Sequence, residues 1–409
     1  MQAVILAAGR STRTYPLTSR TPKALYELAG HAVIEHNLRS LEGLIEEAVI
    51  VIGFEGKRII RRLGSDYRGI RLRYVEQTEQ KGTGHALLCA ADKLNGEALV
   101  LMGDDLYRND AVEELLEHPY AVLAKRVADP SRFGVFTTDG ELVTGVVEKP
   151  QTYVSDLANT GCYKISKGFL DLLRGLEPSQ RGELELTDAI AAVAENGELH
   201  WVESNGGWFP IGYPWHLLEA NTLLLQDRPL SRYNVKSRLL SDVHRCVTVN
   251  ILEDTWVGRG SLVADRVMIS RNCYLHPGVQ VTNRTSIGPN TQIGGGTQID
   301  NCLIGANVQI GRGCLLSGCV IADGAVIGDR VTAIGEPPPN QTLTSTIKGR
   351  EVEVDRRLFS AAIGPGAYVA PLSVLLPGSK LAPDARTEIG DVVDGDLGVI
   401  WPEATNAKR

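Results

Sequence analysis

Nowhere in this chain of 409 residues do apolar side chains run on for the roughly 20 positions that a membrane-spanning helix needs. The opening apolar run, Met1 to Leu6, is short and has no basic lead, so it does not read as a signal peptide. The expectation is a cytoplasmic protein with no membrane partner. A basic excess is lacking too: 42 Lys and Arg stand against 49 Asp and Glu, a formal charge of −7, which argues against nucleic acid as a partner. The seven cysteines include no Cys-x-x-Cys pair and no His at zinc-like spacing. Most adjoin aliphatic residues, so buried, reduced thiols are expected. Two common phosphate motifs are also missing. No Gly-Lys-Ser/Thr follows the first strand, which excludes a P-loop, and Gly9, Ser11 and Thr14 fail the three-glycine Rossmann spacing.

What is present begins with a buried-strand pattern, Ala3, Val4, Ile5, Leu6, that breaks into Ala7, Ala8, Gly9. Small residues at Ala8 and Gly9 let a triphosphate reach main-chain N–H groups, and Arg13 and Lys23 add cations. An ordinary strand-to-helix turn has the same local composition, so this stretch alone leaves both readings open. Helical and strand patterns then alternate. His31 to Leu44, Lys57 to Leu63 and Gly84 to Leu94 read as helices, and Ala48 to Ile52, Ile70 to Val75 and Ala98 to Met102 as strands. Such alternation predicts an α/β domain with a mixed, mostly parallel sheet, ligands lying at the strands' carboxyl ends. Gly9, Gln77 and Asp104 then share one rim. Beyond Asp104, strands are read at Ala121 to Val127, Phe133 to Thr137, Val143 to Val147 and Cys162 to Ile165, with helices near Gly168 to Leu176, Thr187 to Glu195 and Tyr213 to Leu225.

Past a polar, irregular stretch the texture changes. Ile251, Val257, Val263, Ile269, Leu275, Val281, Ile287, Ile293 and Ile299 recur every sixth position. Steps of five reach Ile304 and Ile321, an interruption carrying Pro337, Pro338 and Pro339 follows Ile327, and the period resumes at Ile363. That period fits neither a helix nor an alternating strand. It predicts a parallel β-helix built of hexapeptide repeats, each short strand contributing one aliphatic residue to the axis. The organisation expected is a first domain over 1–230, a linker over 231–248, the β-helix over 249–395 and a tail over 396–409.

Leu6, Ala7, Ala8, Gly9 with Thr12, Arg13 and then Pro22, Lys23 resemble the signature of sugar-1-phosphate nucleotidyltransferases, although Ser11 stands where that family usually has a second glycine. Gln77 with Gly82, Thr83, Gly84, His85, Ala86 is similar to the uridine-binding segment of bacterial N-acetylglucosamine-1-phosphate uridyltransferases. The resemblance implies a Rossmann-like domain acting on UTP or dTTP, with Arg13 and Lys23 catalytic and Leu6, Ala7, Ala8, Gly9, Gln77, Gly82 and Thr83 binding the nucleotide. It further implies Mg²⁺ on Asp104, and a sugar 1-phosphate held by Gly134, Glu148, Lys149, Asn159 and Thr187. Asp105 reads as a solvated loop acid. The repeats resemble left-handed β-helices, which implies a homotrimer or higher homo-oligomer.

The chain departs from the family at two places. Trp208, Phe209, Pro210 puts proline where a second metal-binding carboxylate is usual, so either the metal geometry differs or a neighbour such as Asp188 or Glu203 compensates. In the β-helix, which acetylates an amino sugar phosphate in bifunctional relatives, His276 is the only histidine, and Thr332 to Pro337 replaces the usual Asn-bearing coil. Acetyl transfer then lacks its proton acceptor, although Arg356 and Arg357 resemble an Arg pair of archaeal relatives. The alternatives are a bifunctional enzyme or a catalytically weak regulatory subunit.

Overall fold

In a computed structural model the chain packs as two compact units, and the structure describes residues 1–179, 182–226, 238–239, 243–245 and 248–401. Met1–Arg10 and Ala32–Pro210 form the first unit, Ser11–His31 and Ile211–Arg409 the second. Packing therefore does not follow the sequence boundary at 230, because residues 11–31 and 211–226 belong with the β-helix. Most of the expected linker, with Cys246, and the tail after Trp401 lie outside the described residues.

The first unit is built on a ten-stranded sheet. Its centre is parallel: Gln2–Ala7 lies between Glu47–Ile52 and Ala98–Met102, and Ile70–Glu76 flanks Glu47–Ile52. Ala3, Val4, Ile5, Leu99, Val100 and Leu101 are buried, as continuous apolar runs in a sheet covered on both faces should be. Val4, Leu6, Val49, Val51 and Val100 share a core with helices α3 (Thr83–Ala90), α5 (Lys167–Arg174) and α6 (Leu186–Glu195), in that unit. Leu157–Ile165 runs antiparallel to Ala98–Met102 and carries the sheet on to Ala121–Arg126, which pairs in parallel with His200–Glu203. Gly134–Asp139 and Leu142–Glu148 form the antiparallel hairpin at that edge. The parallel strands all end on the rim holding Gly9, Gly53, Gln77 and Gly103.

In the second unit the six-residue period becomes three parallel sheets of seven, eight and eight strands. Trp256–Val257 pairs with Tyr274–Leu275, then Gln292–Ile293, Gln309–Ile310 and Val326–Ile327. The second residue of each pair fills the axis, and the aliphatic stack is the core of a parallel β-helix. Corners fall at Asn272, Asn290 and Asn307, whose left-handed backbone asparagine tolerates. The amide of Asn272 donates to Asn290 at 2.8 Å and that of Asn290 to Asn307 at 3.1 Å, tying successive coils. The period persists through Thr332–Ala333, one coil face further than the aliphatic pattern showed. The interruption occupies 334–360, includes the hairpin Thr344–Ile347 with Arg350–Glu353, and ends where Ala361–Ile363 pairs with Cys319–Ile321.

Helix α7 (Pro214–Gln226) lies against this β-helix. Buried Asn221 takes the backbone N–H of Ala29 (2.8 Å) and the hydroxyl of Ser286 (2.7 Å) on its Oδ1 and donates to the carbonyl of Arg284 (2.8 Å). One side chain thus joins the helix, the 11–31 segment and a corner of one β-helix coil. Among the described residues, no helix is long and apolar enough to cross a membrane.

Candidate active site

At the rim of the first unit, backbone closeness dictates residue size. A Cβ on Gly53 would lie 2.7 Å from the Ala8 carbonyl oxygen, and one on Gly103 would lie 2.9 Å from the Ala7 Cβ. The Ala8 carbonyl accepts from Phe54 N (3.2 Å) and from Gln80 Nε2 (3.1 Å), and the Leu6 carbonyl from Gly103 N (2.8 Å). Leu6, Ala7 and Ala8 are buried, whereas Gly9 is exposed and a Cβ there would meet nothing within 4 Å. The strand end is clamped and its last residue opens to solvent, which is the geometry for presenting bare amides to an anion.

Gln77 is buried, and its Nε2 donates to the Gly82 carbonyl (3.0 Å) and lies 3.1 Å from His85 Nδ1. Both amide protons being used, the chemistry left at Oε1 is that of an acceptor, suited to the N–H of a uracil or thymine imide. Gly82 takes φ +99 and would place a Cβ 2.4 Å from the Leu184 carbonyl oxygen. The Thr83 hydroxyl accepts from Leu186 N at 3.1 Å and so joins the starts of α3 and α6.

Asp104 follows the Ala98–Met102 strand and is partly exposed. Asp105 is no solvated acid: its carboxylate accepts from Trp208 Nε1 at 3.2 Å, and Asn37 Nδ2 donates to its carbonyl at 2.8 Å. Trp208–Phe209 pairs with Leu106–Tyr107, so the Trp strand before Pro210 braces the Asp104 loop. Among the described residues no three His, Cys, Asp or Glu gather into a metal cage. A carboxylate at a strand end fits Mg²⁺, which commonly takes one or two carboxylates and completes its shell with phosphate oxygens and water.

On the other side of the sheet's carboxyl rim, Gly134 stands opposite Glu148, and a Cβ there would meet Glu148 Oε2 at 2.8 Å and Asn159 Cβ at 3.8 Å. Lys149 pairs with Glu148 at 3.0 Å. Asn159 is held by Gly161 N on its Oδ1 (2.9 Å) and by the Tyr163 hydroxyl, 2.8 Å from its Nδ2. Tyr107 donates its hydroxyl to the Thr160 carbonyl at 2.7 Å, and burial pushes that phenol far up, keeping it a donor. Thr187 is the second residue of α6. Next to it the Asp188 carboxyl is raised, first by desolvation and then by the charges of Glu185 and Glu148. Glu203 pairs with Arg126 at 3.6 Å.

Arg13 and Lys23 lie in the second unit. Ser11 adopts the left-handed backbone that a glycine would have supplied (φ 49, ψ 51), and its carbonyl accepts from Thr14 Oγ1 (2.8 Å) and Thr18 Oγ1 (3.0 Å). Those bonds offset the roughly 1–2 kcal/mol that an L-residue pays there. Arg13 is exposed, its guanidinium 5.8 Å from the Tyr213 ring centroid. Lys23 is buried and its Nζ donates to the Ile211 carbonyl. In the β-helix, Arg356 is spent on Asn301 Oδ1 (2.6 Å) and the Trp215 carbonyl (3.4 Å), and Arg357 pairs with Glu336. His276 packs edge-on to Tyr274.

Sequence reasoning missed Gln80, Tyr107, Tyr163 and Asn37. Asn37 alone carried a signal: with Ile34, Leu38 and Leu41 it occupies the i, i+3, i+4, i+7 face of α1 (Val33–Ser40), a polar residue where the apolar stripe should be.

The family model described as nucleotidyl transferase matches residues 2–227, and that of the GMPPB C-terminal domain matches 263–371. The bifunctional protein GlmU of Methanococcus vannielii is 30% identical over 97% of this chain and 96% of its own length. A bifunctional sugar-1-phosphate nucleotidylyltransferase/acetyltransferase of Sulfurisphaera tokodaii is 27% identical over 97% of this chain and 98% of its own. A solved Bacillus anthracis chain described as a glucose-1-phosphate thymidylyltransferase is 30% identical, with a TM-score of 0.52 over 57% of this chain and 98% of its own.

Proposed function

The chain belongs to the nucleotidyl transferase family, and from that premise we propose that it transfers a nucleotidyl group from UTP or dTTP to a sugar 1-phosphate, glucose-1-phosphate or N-acetylglucosamine-1-phosphate, releasing pyrophosphate. The observation that carries this reading is the rim: the Leu6–Gly9 strand end, clamped through the Ala8 and Leu6 carbonyls, opens at Gly9, and the adjacent strand ends in Gly103 and Asp104. Leu6, Ala7, Ala8 and Gly9 take the phosphates on backbone amides, and Gln77, Gly82 and Thr83 frame the base. Gly134, Glu148, Lys149, Asn159 and Thr187 receive the sugar phosphate, Glu148 and Asn159 at hydroxyls and Lys149 at the phosphate.

No protein nucleophile is needed. A phosphate oxygen of the sugar 1-phosphate attacks the α-phosphorus in line, the bond to the β-phosphate's bridging oxygen breaks, and pyrophosphate leaves with that electron pair. Arg13 and Lys23 stabilise the charge that develops on the phosphate oxygens. Asp104 would hold Mg²⁺, which when bound neutralises phosphate charge. We assign the β-helix an assembly role, in a homotrimer or higher homo-oligomer within the cytoplasm, which light scattering of the purified chain would read.

The test is pyrophosphate release over four nucleoside triphosphates and several sugar 1-phosphates, with Mg²⁺ and with EDTA. The expected result is Mg²⁺-dependent turnover with UTP or dTTP that Asp104→Ala and Lys23→Ala each abolish while the circular dichroism of the β-helix is kept. Full activity in either variant contradicts the role given to that residue.

A further inference from the structure

The β-helix interruption at 334–360 sends a carboxylate, Asp355, to helix α7, and three bonds follow from it. Asp355 Oδ1 accepts from Trp215 Nε1 at 2.6 Å. His216 Nε2 lies 3.2 and 3.3 Å from the two Asp355 oxygens, and His216 Nδ1 accepts from Gly212 N at 3.0 Å. An imidazole that accepts at Nδ1 carries its proton on Nε2, so the carboxylate sets the tautomer that the Gly212 bond requires. Gly212 sits between Ile211, whose carbonyl receives Lys23 Nζ, and Tyr213, whose ring lies under the Arg13 guanidinium. Tyr213 stacks on Trp215 at 4.7 Å between centroids, and Trp215 is fully buried against Phe359. Arg356, the neighbour of Asp355, fixes the Trp215 carbonyl from the same loop.

We propose that Asp355 and His216 are positioning residues for nucleotidyl transfer: they hold residues 211–213 in the conformation that receives Lys23 and Arg13, so that the β-helix interruption presets the cations. This rests on the roles proposed above for those two cations. The arrangement explains two features together. A coil is broken by a long insertion at great sequence distance from the first strand, and a buried histidine is given a carboxylate on one nitrogen and a main-chain donor on the other. A carboxylate that served only to anchor the loop would need neither the histidine nor its fixed tautomer.

The experiment uses the full-length chain with Asp355→Asn, Asp355→Glu and His216→Phe. Turnover gives one readout, and mass-spectrometric acylation of Lys23 gives the other, with fully buried Lys380 as internal control. In Asp355→Asn an amide faces the His216 N–H, the tautomer is no longer imposed, and the Gly212 bond loosens. The expected results are kcat/KM lower by about ten- to a hundredfold, as for a misplaced charged group, a raised KM for the triphosphate with the KM for the sugar phosphate unchanged, and faster acylation of Lys23 but not of Lys380. His216→Phe, which keeps the ring and loses both bonds, matches it, and Asp355→Glu recovers part of the activity. Lys23 acylation at the wild-type rate in both Asp355→Asn and His216→Phe overturns the proposal, whatever the activity. So does loss of activity that only tracks the folded fraction, with KM unchanged. If the wild type turns over no substrate pair while Lys23 acylation still rises in the variants, the structural link stands and the assigned reaction falls instead.

Discussion

Replacing Gly82 by alanine puts a methyl group where the chain has no room for one. The backbone there has φ +99 and ψ 173, a region that is essentially glycine's alone, and holding another residue in it costs about 1–3 kcal/mol. The new Cβ would lie 2.4 Å from the Leu184 carbonyl oxygen and 3.0 Å from both the Leu184 carbonyl carbon and nitrogen, so backbone must shift, which adds about 1–3 kcal/mol. The total, about 2–6 kcal/mol, falls on the start of α3, where the Gly82 carbonyl also takes the Gln77 amide. Thermal unfolding should show the first transition lowered by about 4–24 °C for a unit of this size. Steady-state kinetics should show a raised KM for the triphosphate. Gly96→Ala is the control, since a Cβ there meets nothing within 4 Å and the backbone is not left-handed. If Gly82→Ala matches Gly96→Ala in both melting and KM, the close approach is not what demands glycine.

Two further outcomes follow from burial. Ile293→Ala, at a fully buried position on the β-helix axis, should destabilise the β-helix by about 2–5 kcal/mol in denaturant titration, and a change within error would mean the axis is not tightly packed. Burial pushes the Cys273 thiol up to about 11, so it stays neutral and unreactive below that pH, whereas Cys89 is only partly buried. Alkylation mapped by mass spectrometry at pH 8 should therefore label Cys89 first and leave Cys273, and equal labelling of the two would refute the burial argument.

The parts of the fold legible in the sequence are those whose burial repeats locally. Ile293, Ile299 and their neighbours announce the β-helix because each strand donates one aliphatic residue at a constant interval. Ala333 keeps that interval but is too small to register, which is why the interruption looked longer than it is. The strand Leu157–Ile165 was legible only from Cys162, because a bulge between Asn159 and Cys162, with Gly161 at φ +75, breaks the alternation. Helix α4 (Asn109–Leu115) turns only Ala111, Val112 and Leu115 inward, too short a stripe to stand out.

At the candidate site, residues whose chemistry depends on main chain were legible: Ala8, Gly9 and Gly82 are small because backbone passes close or must open. Roles set by distant partners were not. Asp105 looked solvated because Trp208, which donates to it, lies a hundred positions along the chain, and Arg356 looked available because the insertion that buries it has no periodicity to read. Packing also assigns the 11–31 segment to the β-helix unit, a division fixed by Asn221 and its three partners rather than by any change in composition.

The chemistry itself can be followed atom by atom. A sugar 1-phosphate carrying ¹⁸O at its three non-bridging phosphate oxygens is incubated with UTP or dTTP, Mg²⁺ and the full-length chain, and both products are weighed by mass spectrometry. Attack on the α-phosphorus puts all three labels into the nucleotide sugar and none into pyrophosphate. Label in pyrophosphate or in free phosphate, or no nucleotide sugar from any pair tried, would contradict the account.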